Sequence, residues 1–264
     1  HSWCAIRLRR RNIPEGSDVS ALGTCLQLDV GNSSVKWRLM NGNAVVARNT
    51  YRLGEESAQA VLLTCTETLD HLWISSVAAP EAEVGLAALL KAQWGIDPWF
   101  ARTEARTGVL RNSYEDPGLL GVDRWLAMLG ARGRNEGRVC VVDAGSALTI
   151  DIVSATGQHE GGYIIPGSSL MERVLLSETG RVRFHETVGY ALSPGTSTAE
   201  AVRHGIALAQ AGAVHLALDE AGSEPVDIVF CGGAGEELMQ LVGRPGQWVP
   251  DLVFEGLAVM AAQR

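Results

Sequence analysis

Three aspartates in this chain stand where phosphate chemistry would use them. Asp29 closes the run Leu26-Gln27-Leu28-Asp29-Val30 and is followed at once by Gly31-Asn32-Ser33-Ser34-Val35-Lys36. A carboxylate at a strand end can hold Mg²⁺, directly or through water. The glycine turn beside it offers backbone N–H groups and hydroxyls to phosphate oxygens. An ordinary hairpin with a turn aspartate is the bland alternative, because short motifs match often by chance. The pattern returns in Val139-Cys140-Val141-Val142-Asp143-Ala144-Gly145-Ser146-Ala147-Leu148-Thr149-Ile150-Asp151. Two strand–Asp-x-Gly–strand units, one per half, imply an internal duplication. Facing each other across a cleft, they would grip a nucleoside triphosphate from both sides.

The third aspartate lies in Tyr114-Glu115-Asp116-Pro117-Gly118-Leu119-Leu120-Gly121-Val122-Asp123-Arg124-Trp125. Gly121 frees the backbone before a helix, and Asp123 and Arg124 fall in its first turn. A carboxylate there suits the helix dipole and needs no further role. It could also be aimed at a substrate hydroxyl. Phosphoryl transfer passes through a loose transition state, so the acceptor must chiefly be positioned and a modest base suffices. Arg124 could take a carboxylate or phosphate as a fork; its plain alternative is a surface ion pair of little worth.

These residues need strands and helices to hold them. Leu26, Leu28 and Val30 alternate with polar neighbours, as do Val35, Trp37 and Leu39 after the turn, so both runs read as strands. The remaining pattern predicts a strand over 44–53, a helix over 56–69, a strand over 72–77, a helix over 81–94 and a short strand over 98–101. This order gives a mixed sheet with helices on it. Residues 106–120 read as a loop, long enough to suspect a function. A helix follows over 121–135, with Val122, Trp125, Leu126 and Leu129 on one face. The second half then repeats: strands over 139–143, 147–153 and 162–165, helices over 168–176 and 198–221, a strand over 226–230 and a closing helix over 254–262. Cys231-Gly232-Gly233-Ala234-Gly235 links strand to helix, either as a tight turn or as a place where a nucleotide nears the backbone. It lacks the glycine spacing of dinucleotide enzymes, and the chain has no Gly-x-x-x-x-Gly-Lys-[Ser/Thr], so an ATP site here is not of the Walker kind.

Composition bounds the alternatives. The 264 residues are 46% hydrophobic and 20% charged, which marks a globular protein with a substantial core. No apolar run is long enough to span a bilayer. A net charge of −8 argues against nonspecific nucleic-acid binding. Positive charge for anionic substrates must then come locally, from Lys36, Arg124 and backbone amides. Five unpaired cysteines with no zinc spacing suggest a reducing cytoplasm. None of the six histidines reads as a metal ligand. Residues 1–24 do not fit the rest: a basic cluster, Arg7-Leu8-Arg9-Arg10-Arg11, is followed by no apolar segment, so a secretory signal is not expected. They read as a poorly ordered extension left by a start-site assignment or by expression. The expected domains are residues 25–136 and 137–264, joined near 133–137.

The duplicated acidic hairpins resemble the actin, Hsp70 and sugar-kinase architecture. Taken in order, Asp29-Val30-Gly31-Asn32, Gly121-Val122-Asp123-Arg124-Trp125, Asp143-Ala144-Gly145-Ser146-Ala147-Leu148-Thr149 and Gly161-Gly162-Tyr163-Ile164-Ile165-Pro166-Gly167 look like the type III pantothenate kinases of bacteria. The resemblance covers residues 26–262. It implies an α/β fold of two ribonuclease H-like domains with a cleft between them. It also implies phosphorylation of pantothenate by ATP, the first step toward coenzyme A. On this likeness Asp29, Val30, Gly31, Asn32, Ser33, Ser34, Val35 and Lys36 form the first phosphate hairpin, with Asp29 near Mg²⁺. Asp123 is the general base. Tyr114, Gly121, Val122, Asp123, Arg124 and Thr198 meet pantothenate, although Thr198 could equally be a helix N-cap. Asp143 matches a monovalent-cation ligand (K⁺ or NH₄⁺). Ser146 meets ATP phosphate where the family usually has Thr. The likeness implies a homodimer with the pantothenate pocket near its interface. Glu160 and Asp151 read as structural or surface residues, though either could touch an ion. Two other functions share this fold: a non-catalytic regulatory or accessory protein, and a kinase for another small hydroxylated acid or sugar.

Overall fold

The computed structural model describes residues 23–264. The expected N-terminal extension spans residues 1–24; residues 1–22 lie outside the described residues, and Thr24 already belongs to the first strand.

The chain writes one sheet twice. Strands β1 (Thr24–Val30), β2 (Ser34–Asn41), β3 (Ala44–Arg52), β4 (His71–Ser76) and β5 (Trp99–Phe100) assemble in the order β3-β2-β1-β4-β5. Strands β1 to β3 are antiparallel, and β4 and β5 run parallel to β1. The second sheet is β10-β9-β8-β11-β12, from β8 (Val139–Ala144), β9 (Ala147–Val153), β10 (His159–Pro166), β11 (Asp227–Cys231) and β12 (Gln247–Trp248). Its strand directions repeat those of the first. In both sheets the central strand is the one that ends in the Asp-x-Gly turn. Strands flanked on both sides are buried on both faces, so β1 and β8 are almost wholly apolar up to the acid.

Helices α1 (Glu56–Leu63), α2 (Pro80–Trp94), α3 (Val122–Arg134), α4 (Ser168–Glu178), α5 (Thr198–Glu220), α6 (Gly235–Val242) and α7 (Leu252–Ala261) complete the fold. Helix α2 starts on a proline, carries Glu81 and Glu83 in its first turn, and ends at Gly95 in the left-handed conformation. Helix α5 is capped by Ser197, whose hydroxyl accepts from the Glu200 N–H, while Glu200 accepts from the Thr196 N–H. Thr198 is therefore the first helical residue and not the cap. Helix α1 stops at Leu63, short of the expected Leu69. The Thr64 hydroxyl turns back to the Ala60 carbonyl and that of Thr66 to the Thr68 carbonyl, the local competition that disfavours helix. The expected loop over 106–120 contains a small hairpin, β6 (Arg106–Thr107) and β7 (Leu110–Arg111), and a 3-10 turn at Pro117–Leu119.

The two halves meet through α3 and α7. Helix α3 packs on β4, β8 and β9, and α7 on β1 and β4. They cross closely: a Cβ on Gly256 would stand 1.8 Å from the Leu126 carbonyl oxygen, and one on Gly130 would stand 2.4 Å from that of Leu252. Trp125, Leu126, Met128, Val141, Phe254 and Leu257 form one core across this crossing. Buried Arg38 on β2 adds a polar tie. It donates to Gln27 at 2.7 Å and to Asp251 at 3.3 Å, and it lies over the Phe254 ring. With the halves joined this way, the loops at the ends of β1 and β8 face each other.

Candidate active site

The first acidic turn is closed by Gly31 N–H donating to the Ser34 carbonyl at 3.0 Å. Its ladder sets Asp29 opposite Lys36 on β2 and opposite Ser75 on β4. Burial holds the Asp29 carboxyl above its ordinary pKa; Lys36 and Ser75 pull it down and the charge of Asp123 pushes it up. The Ser75 hydroxyl is fully buried and makes no well-formed hydrogen bond, so its influence on Asp29 is that of a nearby dipole.

The second turn repeats the device. Gly145 N–H donates to the Ala147 carbonyl at 2.9 Å, and Asp143 faces Thr149 on β9 and Cys231 on β11. Ser75 and Cys231 thus occupy the same place in the two halves, each a small polar residue beside an acid. The segment after Cys231 is drawn against this acid: Gly232 has φ +83° and leaves 2.4 Å between a would-be Cβ and the Asp143 Oδ1. The two turns touch at their tips, where the Ser146 hydroxyl meets the Ser33 hydroxyl at 3.1 Å. Burial, the first cause, raises the Asp143 pKa from 3.8 to about 6; Lys36 lowers it, and the charges of Asp29 and Asp123 raise it.

Asp123 completes the group. It sits in the first turn of α3, where Gly121 is the N-cap, and its Oδ1 accepts from the Arg124 N–H at 2.8 Å. Burial raises its pKa too; the backbone N–H and charge of Arg124 lower it, and Asp151 raises it. Asp123 acts on the titration of both Asp29 and Asp143, and Lys36 acts on both as well. Asp29, Asp123 and Asp143 are therefore near enough for their charges to act on one another.

Such a grouping offers carboxylate and hydroxyl oxygens, the donors that hard cations take together with phosphate, and burial opposes charge on its carboxyls. Among the described residues no cluster of three or more His, Cys, Asp or Glu side chains could hold an ion by itself. Mg²⁺ would then be shared among one carboxylate, water and phosphate oxygens, as is usual for it.

A carboxyl whose pKa rises on folding opposes folding when ionised. For Asp143 that cost is complete above about pH 6 and is gone below the ordinary 3.8. The ligand-free Asp143→Asn protein is expected to be more stable than the parent at pH 8, by about 1–3 kcal/mol. The gain should shrink toward zero by about pH 4. Denaturant melts across this range check it; an equal gain at all pH values would remove charge as the cause.

Arg124 is neither a surface pair nor an open fork. It is buried, and its Nε and Nη2 grip Asp151 at 3.0 and 2.6 Å. Its Nη1 donates to the Tyr114 hydroxyl at 3.0 Å. Burial alone would lower its pKa, but Asp151 and Tyr114 outweigh that and raise it. Asp151 also accepts from His159 Nε2 at 3.0 Å, and His159 Nδ1 meets the Ser113 hydroxyl at 2.9 Å. Gly162 lies against the pair; a Cβ there would come within 2.3 Å of Asp151 Oδ1 and 2.8 Å of Arg124 Nη2. Glu160, in contrast, points outward to Arg138.

The predicted site residues thus fall into three places. The turn 31–34 meets Ser146, and Asp29, Lys36, Asp123 and Asp143 lie within electrostatic reach of one another, whereas Val30 and Val35 are core residues of the first half. Tyr114 and Arg124 are hydrogen-bonded to each other beside Asp123, Gly121 is the N-cap of α3, and Val122 is a core residue. Thr198 is not with them: it is exposed at the start of α5 and lines a groove of about 730 Å³ with Pro166, Leu170 and Ile206. Sequence reasoning missed Ser75, Ser113 and His159, took Cys231 only as the start of a glycine-rich turn, and undervalued Asp151. A lone acid inside the apolar run of β9 was the available signal for Asp151.

The family model for type III pantothenate kinases matches residues 25–220. A type III pantothenate kinase of Aromatoleum aromaticum is 34% identical over 239 residues, covering 90% of this chain and 98% of that one. One from Ectopseudomonas mendocina is 38% identical over 242 residues, covering 89% and 97%. Among solved structures, a Campylobacter jejuni protein provisionally described as a Baf-family transcriptional activator superposes with a TM-score of 0.59 at 22% identity, covering 90% of this chain and 98% of that one. A Sinorhizobium meliloti protein provisionally described as a 2-dehydro-3-deoxygalactonokinase gives 0.54 at 15% identity, with the same coverage. Both superpositions span nearly the whole chain, so the doubled five-stranded α/β arrangement is shared with these proteins as a fold.

Proposed function

The chain belongs to the type III pantothenate kinase family, which phosphorylates pantothenate with ATP on the way to coenzyme A, and we propose how its own residues do so. The observation that carries the reading is the contact of the two turn tips, Ser33 with Ser146 at 3.1 Å, with Asp29, Asp123 and Asp143 near enough for their charges to act on one another. The turns at 31–34 and 144–146 hold the triphosphate by backbone N–H groups and hydroxyls, and Lys36 adds positive charge. Asp123 accepts the proton of the attacking hydroxyl, and burial, by raising its pKa above 3.8, makes it a stronger base than an exposed aspartate. Tyr114 and Arg124 line the acceptor side. Asp29 would hold Mg²⁺ and Asp143 a monovalent cation, K⁺ or NH₄⁺. Bound there, these ions would neutralise charge on the phosphate oxygens.

We also assign the protein a homodimer and a cytoplasmic setting. Among the described residues no helix is long and apolar enough to cross a membrane. The dimer reading rests on the exposed apolar side chains of α5, Leu208 and Leu216, each 61% exposed. Burying them between copies would bring the helix that starts at Thr198 against a neighbouring copy. Sedimentation of the parent and of Leu208→Glu checks this: dimer for the first, monomer for the second. A monomeric parent would remove the assignment.

Turnover by the purified protein, given ATP and a panel of pantothenate, other small hydroxylated acids and sugars, tests the substrate. Pantothenate is expected to be preferred by at least about 100-fold in kcat/KM. A better rate on a sugar would overturn the reading.

A further inference from the structure

Three polar groups beside Arg124 have no part in handling phosphate: Ser113, Asp151 and His159. The register between β9 and β10 shifts between His159 and Gly161, and the His159 ring is 1% exposed there. Both ring nitrogens are engaged. Asp151 can only accept, so Nε2 carries a proton toward it at 3.0 Å, and Nδ1 meets the Ser113 hydroxyl at 2.9 Å. The ring also stacks on that of Tyr114, with centroids 6.1 Å apart and planes 22° apart. His159 therefore touches two consecutive residues of the 106–120 segment and the carboxylate that fixes Arg124.

The segment has other anchors: Trp125 Nε1 donates to the Thr107 hydroxyl at 3.3 Å, and the Tyr114 N–H donates to Asn112 Oδ1 at 2.9 Å, which fixes its backbone and not its ring. Arg111 N–H donates to the Gly157 carbonyl at 2.9 Å, and Thr103 Oγ1 donates to the Leu120 carbonyl at 2.8 Å. The Tyr114 side chain is held to the wall of the site by Arg124 and His159. The order hydroxyl, imidazole, carboxylate is that of an acyl-transfer triad. Here, however, the imidazole is sealed from solvent and the carboxylate is shared with a guanidinium, so the chain fixes position and does not make a nucleophile.

We propose that His159 is a positioning residue for the acceptor substrate: it tethers the Ser113–Tyr114 segment to the Asp151–Arg124 pair and so sets the wall against which pantothenate lies. This rests on the reading that Tyr114 meets the acceptor. Ser113→Ala, His159→Gln and His159→Ala, with hydrogen exchange over 112–116 and steady-state kinetics, test it. Ser113→Ala and His159→Ala are expected to speed exchange of the segment and to raise KM for pantothenate about tenfold, the scale of one buried hydrogen bond. KM for ATP should stay within about twofold. His159→Gln keeps a donor for Asp151 and should fall between parent and His159→Ala. If His159→Ala does not fold, exposed Ser113 carries the test. Unchanged exchange overturns the tether, whatever the kinetics. Faster exchange with an unmoved pantothenate KM keeps the tether and overturns the placing of Tyr114 at the acceptor.

Discussion

Asp123→Asn is expected to lower kcat on pantothenate by about 10²–10⁴-fold, the usual worth of a general base, while ATP still binds. The two side chains have the same shape, and the amide carbonyl of the variant can accept from the Arg124 N–H as Asp123 does at 2.8 Å. The helix start should therefore survive. What is lost is the ability to take a proton from the acceptor hydroxyl. The ATP side should respond in the opposite sense. Asp123 pushes up the pKa values of both Asp29 and Asp143, so removing its charge eases their ionisation and should hold or tighten ATP binding with its cation. The pH profile adds a second check. Because burial raises the Asp123 pKa, the acid limb of kcat/KM in the parent should lie above 3.8, and the variant should lose that limb with the rate. ATP affinity by calorimetry and single-turnover rates separate these effects. Full turnover in the amide variant would take Asp123 out of the mechanism.

The contrast between what sequence revealed and what it hid follows from distance along the chain. The two acidic hairpins were legible because alternation, a turn and an acid fall within a dozen residues. The resulting register, Asp29 opposite Lys36, follows from a two-strand ladder closed by a short turn. The fold followed from finding that pattern twice. The contact between Ser33 and Ser146 was not legible, because it depends on how α3 and α7 join the halves and not on either turn. Arg124 shows the same limit. Its position in the first helical turn suggested an outward fork, whereas its partner is a carboxylate on β9, 27 residues further on. Binary pattern marks Asp151 as an intruder among apolar residues but does not say which cation it meets. The close helix crossing was hidden for a related reason: Gly130 and Gly256 each look like helix-weakening residues until their carbonyl neighbours are in view.

The Arg124–Asp151 pair yields the largest expected effect on stability. Asp151→Ala should cost roughly 3–5 kcal/mol, because it leaves a buried guanidinium with no counter-charge. For a chain of this size that is a fall in Tm of roughly 8–15 °C. The side chains are 4% and 2% exposed, so solvent cannot replace the lost partner. His159 would lose its acceptor in the same step. Gly162→Ala should destabilise in the same direction, since its methyl would press on Asp151 Oδ1 and the Ile150 carbonyl. The double change Arg124→Met with Asp151→Leu separates the pair's two contributions. Buried ion pairs are often replaceable by apolar residues at little net cost, so much of the stability should return. Pantothenate binding should not return with it, because the Tyr114 hydroxyl has lost the Arg124 donor that holds it at 3.0 Å. A double-mutant cycle on Tm and on pantothenate KM reads both. If Asp151→Ala melts within about 1 kcal/mol of the parent, Arg124 has found another partner or water and the pair is not what anchors this wall. If the apolar double variant binds pantothenate normally, the pair serves the fold alone.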